Sequence, residues 1–250
     1  MHKSPVERLE GRALLASVSF AIDPAASYLT IKAVGDVDHV GDVKLKAQDD
    51  GLDTARLQGT VVADVTSKGV RFNGGSAIDA VAHEGEFDPG NDDADFAVKG
   101  KIKKLITLAE LDAAIRDIKF DVESTGRKKL GSGRKFDLRN ASLEITAGTI
   151  DYKLDSKFGD ADGSRDLAGL KDKNASTYGK VTGATGQRYL TMPIRIDYER
   201  DFSNGTAEFS LTGIIVAKET TSASAQAVGL MPAAVTTKKR VSANDAVSLI

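Results

Sequence analysis

The chain has no cysteine and no tryptophan, and among its 250 residues only three are histidine and three methionine. The lack of cysteine excludes disulfides, thiolate metal sites and a cysteine nucleophile. Of His2, His39 and His83 only the last two lie outside the N-terminal segment, and no HExxH occurs, so a histidine-built zinc site is not expected. Aromatic residues make up 6% of the chain, so a core has to be assembled mainly from Val, Ile, Leu and Ala. Neither sign of charge is in surplus: 34 Lys and Arg face 36 Asp and Glu. A nucleic-acid binder displaces counterions with a basic surplus, so no nucleic-acid partner is expected. No run approaches the roughly 20 apolar residues of a membrane helix, so no transmembrane segment is expected. G-x-S-x-G, P-loop and G-x-G-x-x-G are all missing, and no residue is assigned a catalytic role.

What the chain has instead is alternation. "YLTIKAV" (28–34) puts Leu29, Ile31 and Ala33 on one face, and "VKLKA" (43–47) sets Val43, Leu45 and Ala47 against Lys44 and Lys46. The same pattern runs through "LQGTVVADV" (57–65), "IKFDV" (118–122), "FDLRNASLEI" (136–145), "IDYKL" (150–154), "IRIDY" (194–198) and "AEFSL" (207–211). Successive side chains of a strand point to opposite faces, so this is the signature of half-buried antiparallel strands. Gly, Asn and Asp clusters separate the runs, and "SNGT" (203–206) reads as a hairpin turn centred on Asn204-Gly205.

One segment breaks the pattern. "TLAELDAAIRDI" (107–118) spaces Leu108, Leu111, Ile115 and Ile118 as a helix would, with Thr107 and Glu110 as a capping-box pair. The spacing predicts an α-helix over 107–118, and a shorter helix is predicted over 164–170. The fold class is therefore mainly β, an antiparallel barrel or a two-sheet sandwich, with these two helices added. The predicted organisation is an N-terminal segment 1–16, one β-rich domain 17–219, and a flexible extension 220–250 rich in Ala, Ser and Thr with a basic cluster at Lys238, Lys239 and Arg240.

Four clusters bear on ligands. "HEGE" (83–86) sets His83 beside Glu84 and Glu86. "DPGNDDAD" (88–95) and "DSKFGDADGS" (155–164) concentrate carboxylates in glycine-containing turns, the ligand type calcium prefers. In the second, Asp155, Asp160, Asp162 and Asp166 are the candidate calcium ligands, although Phe158 stands where an EF-hand would have another acid. A polar turn in solvent is the competing reading of each, and no other cofactor is expected. "GSG" (131–133), flanked by Arg127, Lys128, Lys129, Arg134 and Lys135, offers backbone amides and positive charge to an anion, or is simply a basic hairpin tip.

Two stretches resemble known families. Leu9, Glu10, Arg12, Leu14, Leu15 and Ala16 are similar to the LEPR-XLL type sorting motif of exported planctomycete proteins, with Gly11 where that motif often has Pro. The resemblance implies a cell-envelope or extracellular destination and says nothing of chemistry. The short apolar run Leu14 to Ile22 also has some signal-peptide character, spoiled by Glu7 and Glu10. Phe20, Ile22, Asp23, Pro24, Ser27 and Leu29 resemble the opening strand of YceI-like lipid-binding barrels, with Ala26 in place of the family's His. That resemblance implies a barrel carrying an apolar ligand.

Together these readings describe a non-catalytic, exported or envelope-associated β domain with a structural or adhesive role. Its partner would be an envelope or extracellular component. The alternative is a lipocalin-like or YceI-like carrier of a small apolar ligand, which needs an internal cavity of about 300–1,000 Å³.

Overall fold

The structure, a computed structural model, describes residues 17–37, 41–104, 107–139, 141–156, 160–202 and 205–220. The segment 1–16 and the extension from 221 onward lie outside the described residues, as do His2 and His39. The chain divides at Thr220–Thr221 into two units, and the first holds every described residue.

The described strands, in chain order, are β1 (Val18–Ile22), β2 (Tyr28–Val37), β3 (Gly41–Lys44), β4 (Lys46–Ala47), β5 (Thr54–Thr66) and β6 (Gly69–Arg71). There follow β7 (Ala77–Val81), β8 (His83–Phe87), β9 (Asp92–Ala94), β10 (Phe96–Lys104), β11 (Thr107–Ser124) and β12 (Lys135–Asp137). The rest are β13 (Ala141–Ser156), β14 (Ala161–Asp166), β15 (Lys171–Lys173), β16 (Tyr178–Thr182), β17 (Tyr189–Phe202) and β18 (Gly205–Glu219). A 3-10 turn at Ser132–Arg134 is the helical element among the described residues.

All named pairings are antiparallel, and they close into a barrel with further strands attached. The wall runs from β1 and β2 through β5, β7, β11 and β13 to β15, and from β16 through β17 and β18 back to β1 and β2. Asn174, just past β15, makes the closing seam. Its backbone amide donates to Ala141 O of β13 at 2.8 Å. Its side chain donates to Pro193 O at 2.8 Å and accepts from Arg195 N at 3.0 Å on β17. The alternation worked as read: Leu29, Ile31, Ala33, Leu57, Val61, Leu143, Ile145, Ile196, Phe209 and Leu211 are all buried. The SNGT hairpin joins β17 to β18, but Gly205 is already in the ladder opposite Phe202, and Ser203 and Asn204 fall outside the described residues.

β1 and β2 are one course of the wall, interrupted. Ile22 stands opposite Ala217 and Tyr28 opposite Ile214, so five residues, 23–27, bulge out against two, 215 and 216. Buried Ser27 repairs the ladder: its hydroxyl accepts from Val216 N at 2.9 Å and donates to Val216 O at 3.1 Å. Asp23 Oδ1 accepts from Ala25 N at 3.0 Å and turns the chain.

The helix predicted over 107–118 is a correction. These residues are the first part of β11, which pairs with β10 and β13. The false helical spacing comes from a β-bulge. Ala109, Ala113 and Ile115 are buried in one phase, and Ile118, Phe120 and Val122 in the other, with Asp117 at φ 54° between them. A period-two run that slips by one residue places Ile115 and Ile118 three apart, as one face of a helix would. Small Ala109 and Ala113 hid the alternation before the slip. Glu110 caps nothing; it pairs with Lys101 of β10 at 3.0 Å. β13 bulges in step, switching from Leu143 and Ile145 to Ile150 and Leu154, so pairing with β11 resumes in the same register.

The helix predicted over 164–170 is likewise replaced, by the end of β14 and a turn at 167–170. Leu167 N donates to Gly148 O and Ile145 N to Leu170 O, so the turn is bonded into the bulge of β13. Leu167 is buried and Leu170 packs against the core. β3, β4, β10 and β14 extend the sheet beyond the ring, over a small second core of Val43, Ala109 and Leu154.

Candidate functional site

The barrel interior is occupied by its own side chains. Ile31, Ile115, Ile118, Ile145, Tyr198 and Phe209, with Leu167, Leu170 and Leu211, surround a void of about 10 Å³. A space that small is at the lower limit for a single water. Rings of about eight strands leave an interior that side chains just fill, and around this void the described side chains do so. Tyr198 donates its hydroxyl to Leu143 O at 3.2 Å, and burial pushes that hydroxyl's pKa well up.

Two concave surfaces among the described residues lie on either side of the turn at 49–54. One, of about 450 Å³, is formed where the strand break at 23–27 meets the end of β7; Pro24, Ala25, Tyr28, Arg56, Val81 and His83 line it. Tyr28 and Arg56 are direct neighbours across β2 and β5, and Arg56 faces Val81 of β7. Tyr28 is 47% exposed. The Nε2 of His83 bonds Thr54 O at 3.0 Å, which holds the ring against the wall as an Nε2–H donor. The hydrogen bond of Arg56 is a long one to Pro24 O, 3.5 Å, and among the described residues no carboxylate pairs with it.

The second concavity, about 1060 Å³, is bordered by Lys32 and Val34 of β2, by the segment 44–50 and by Asp53, so that Lys32, Lys44 and Lys46 share its rim with Asp49, Asp50 and Asp53. Lys46 stands directly opposite Lys99 across β4 and β10. Both concavities border the outward face of β2, which presents Tyr28, Thr30, Lys32 and Val34 in succession. Thr30 and Thr54 share a hydrogen bond of 2.9 Å between the two.

Among the candidate ligands, His83 is brought into the smaller concavity, while Glu84 and Glu86 are exposed on β8 away from it. The loop 88–95 is organised by an arginine. Arg116 Nε lies 2.7 Å from Asp92 Oδ1 and donates to Asp93 O at 3.0 Å; Nη1 meets Asp151 Oδ2 at 2.6 Å; Nη2 donates to Pro89 O at 2.8 Å. Of the carboxylates the sequence offered to calcium, the guanidinium engages that of Asp92, its other contacts in the loop being backbone carbonyls, while Asp93 Oδ1 accepts from Gly85 N at 3.0 Å. Asp95 is separate and buried. Its Oδ2 accepts from Ile118 N at 2.6 Å, capping the bulge of β11, and burial raises its pKa to about 6.

Of the second acidic set, the structure brings together Asp155 and Asp160, whose mutual hydrogen bond and repulsion raise the pKa of Asp155. Asp162 is opposite Lys153, and Asp166 is four residues further along β14, about 13 Å at strand rise. Asp166 Oδ1 accepts from Ala168 N at the turn. Among the described residues no group of three or more His, Asp or Glu side chains converges to hold a metal ion. At 131–135 the turn is closed on itself: Gly131 N donates to Lys135 O and Arg134 N to Gly131 O. Arg127 is turned to Thr66 and Gly69.

Tyr28 and Arg56 were not singled out in the sequence. Alternation in "YLTIKAV" puts Tyr28 outward, which was a readable signal; nothing local marks Arg56, because its pairing with Tyr28 is made across strands. The fold and its concave surfaces define a closed antiparallel β-barrel with a filled interior and a contoured outer wall. Comparison with family models, with curated proteins and with solved structures gives no match. No helix among the described residues is long and apolar enough to cross a membrane.

Proposed function

We propose that the chain is a non-catalytic, exported, envelope-associated domain that works by binding through its outer wall. The observation that carries this reading is the contrast between an interior void of about 10 Å³ and concavities of about 450 and 1060 Å³ outside. A carrier of a lipid chain needs internal room of several hundred Å³. The filled interior therefore favours the structural or adhesive role over the carrier role. Export rests on the resemblance of residues 9–16 to the LEPR-XLL type motif. Five of the six residues shared with YceI-like barrels have local work to do at the strand break, Asp23 and Ser27 by hydrogen bonding and Phe20, Ile22 and Leu29 by burial. They support a barrel without requiring a cargo.

The test is native mass spectrometry of the full chain purified from a bacterial host, with organic extraction of anything bound, alongside fractionation of cells expressing it. Protein free of bound lipid and recovered with the envelope or medium is the expected result. A lipid held at one per chain would overturn the outer-wall reading, and retention in the cytoplasm would overturn export.

A further inference from the structure

We infer that the outward face of β2 is a binding tract for an acidic polysaccharide, with a sugar ring against Tyr28, its anionic group on Arg56, and further anionic groups on Lys32, Lys44 and Lys46. The inference rests on the outer-wall reading and names its partner.

Arg56 offers a planar fork that suits a carboxylate or sulfate, and no carboxylate of the described residues pairs with it. The nearby acids are engaged elsewhere: Asp23 accepts from Ala25 N, and Asp53 from the Thr54 hydroxyl. Beside the guanidinium lie the half-exposed Tyr28 ring and the apolar surfaces of Pro24, Ala25 and Val81. A bare inorganic anion gains nothing from such a shelf. A ring with an apolar C–H face and an anionic substituent uses both halves.

The second concavity makes the ligand a polymer. Lys32 lies four residues from Tyr28 on the same outward face, about 13 Å at strand rise. With Lys44 and Lys46 it forms a second set of cations that no described carboxylate pairs. Lys46 also faces Lys99 directly, an arrangement of like charges that costs stability unless an anion lies between them. Evenly spaced anionic groups on one extended chain meet both sets. Asp49, Asp50 and Asp53 border the same concavity. They repel a broad anionic surface such as a membrane, whereas a thin chain can follow the lysines of the outward face.

The full chain is titrated by calorimetry with oligogalacturonate, dextran sulfate, neutral dextran, polyphosphate, and vesicles of phosphatidylcholine with phosphatidylglycerol. Binding of oligogalacturonate, of dextran sulfate or of both is expected, and the pattern names the anionic group. Neutral dextran should not bind, and polyphosphate and vesicles should bind at least tenfold more weakly. Tyr28→Ala and Arg56→Gln should each weaken saccharide binding about tenfold, and Lys32→Gln with Lys44→Gln and Lys46→Gln should do so more. Tyr178→Ala, an exposed tyrosine on β16, should leave it unchanged; all variants are at exposed positions, and unchanged melting confirms their fold. No binding of either acidic saccharide, equal binding of polyphosphate or vesicles, or indifference to Tyr28→Ala and Arg56→Gln would overturn the inference. The outer-wall reading would stand in those cases, because it falls on lipid found inside the barrel.

Discussion

Arg188 and Glu219 form a buried, bidentate ion pair where the end of β18 meets the approach to β17. Arg188 Nη2 donates to Oε1 and Nε to Oε2, each at 2.7 Å, and the two side chains are 6% and 5% exposed. Glu219 Oε2 also accepts from Gly186 N and Arg188 N, and Arg188 Nη1 donates to Val65 O of β5. One pair therefore ties the turn before β17 to β18 and β5. Removing one partner leaves a buried charge without compensation, so Arg188→Met should cost about 3–5 kcal/mol in a urea melt. The double variant with Glu219→Leu should cost less than the two single changes summed. The hydrogen bonds from Arg188 hold the Glu219 carboxyl below its usual value of 4.5. Its contribution is thus present above pH about 4.5 and is lost as pH falls through the lowered value, a loss that Glu219→Leu should not show.

Asp95 has the opposite sign. Burial raises its pKa from 3.8 to about 6, against the bond from Ile118 N and with repulsion from Asp117 and Asp79 adding to it. The folded state holds this proton more tightly than the unfolded chain. Its contribution is fully present below pH about 4 and is lost as pH rises through 6. Asp95→Asn keeps an acceptor for Ile118 N without the buried charge. The variant should be more stable than the wild type at pH 8, by roughly 2–3 kcal/mol, with the gain gone by pH 4. Paired melts across that range check it; no change in the difference with pH would refute the assignment.

Arg116 is the core of the loop 87–93. Lysine cannot reproduce a fork that reaches Asp92, Asp93, Asp151 and Pro89 at once. Arg116→Lys should therefore speed amide exchange at Gly85 and Asn91 while leaving the barrel strands protected. Because the guanidinium already places its charge against Asp92 and the loop carbonyls of Pro89 and Asp93, millimolar calcium should not raise the wild-type melting temperature. A site binding at a hundredth of the added concentration would raise stability by about 2.7 kcal/mol, which is easily seen.

The paired bulges of β11 and β13 meet at Ile118 and Gly148. Gly148 has φ 139°, and a Cβ there would come within 3.1 Å of the Ile118 Cα and 3.3 Å of its side chain. Gly148→Ala should cost about 1–3 kcal/mol, from backbone strain and the displaced isoleucine. Ile118→Ala, which opens the filled interior, should cost about 2–5 kcal/mol. Leu111, half-buried on the same strand, should cost less when truncated. Chemical denaturation of the three variants ranks them.

The sequence by itself determined the class of fold and most of the core. Alternation is a local property, so each stretch from Leu29 to Leu211 declared which of its faces was inward before any partner was known. Its silence on catalytic motifs was also local and direct. What it misread were the places where alternation slips. At Asp117 one extra residue turns a strand's period into a helix's, and only the pairing of β11 with β10 and β13 distinguishes the two. Likewise nothing local shows that β11 brings Arg116 against Asp92 of the acidic loop 88–95. The candidate site is the same kind of fact. Tyr28 was readable as outward, but Arg56 and His83 reach it through antiparallel pairing and a strand break, from 28 and 55 residues away along the chain. Local periodicity reports which way a side chain points, and only the closure of the barrel decides what it points at.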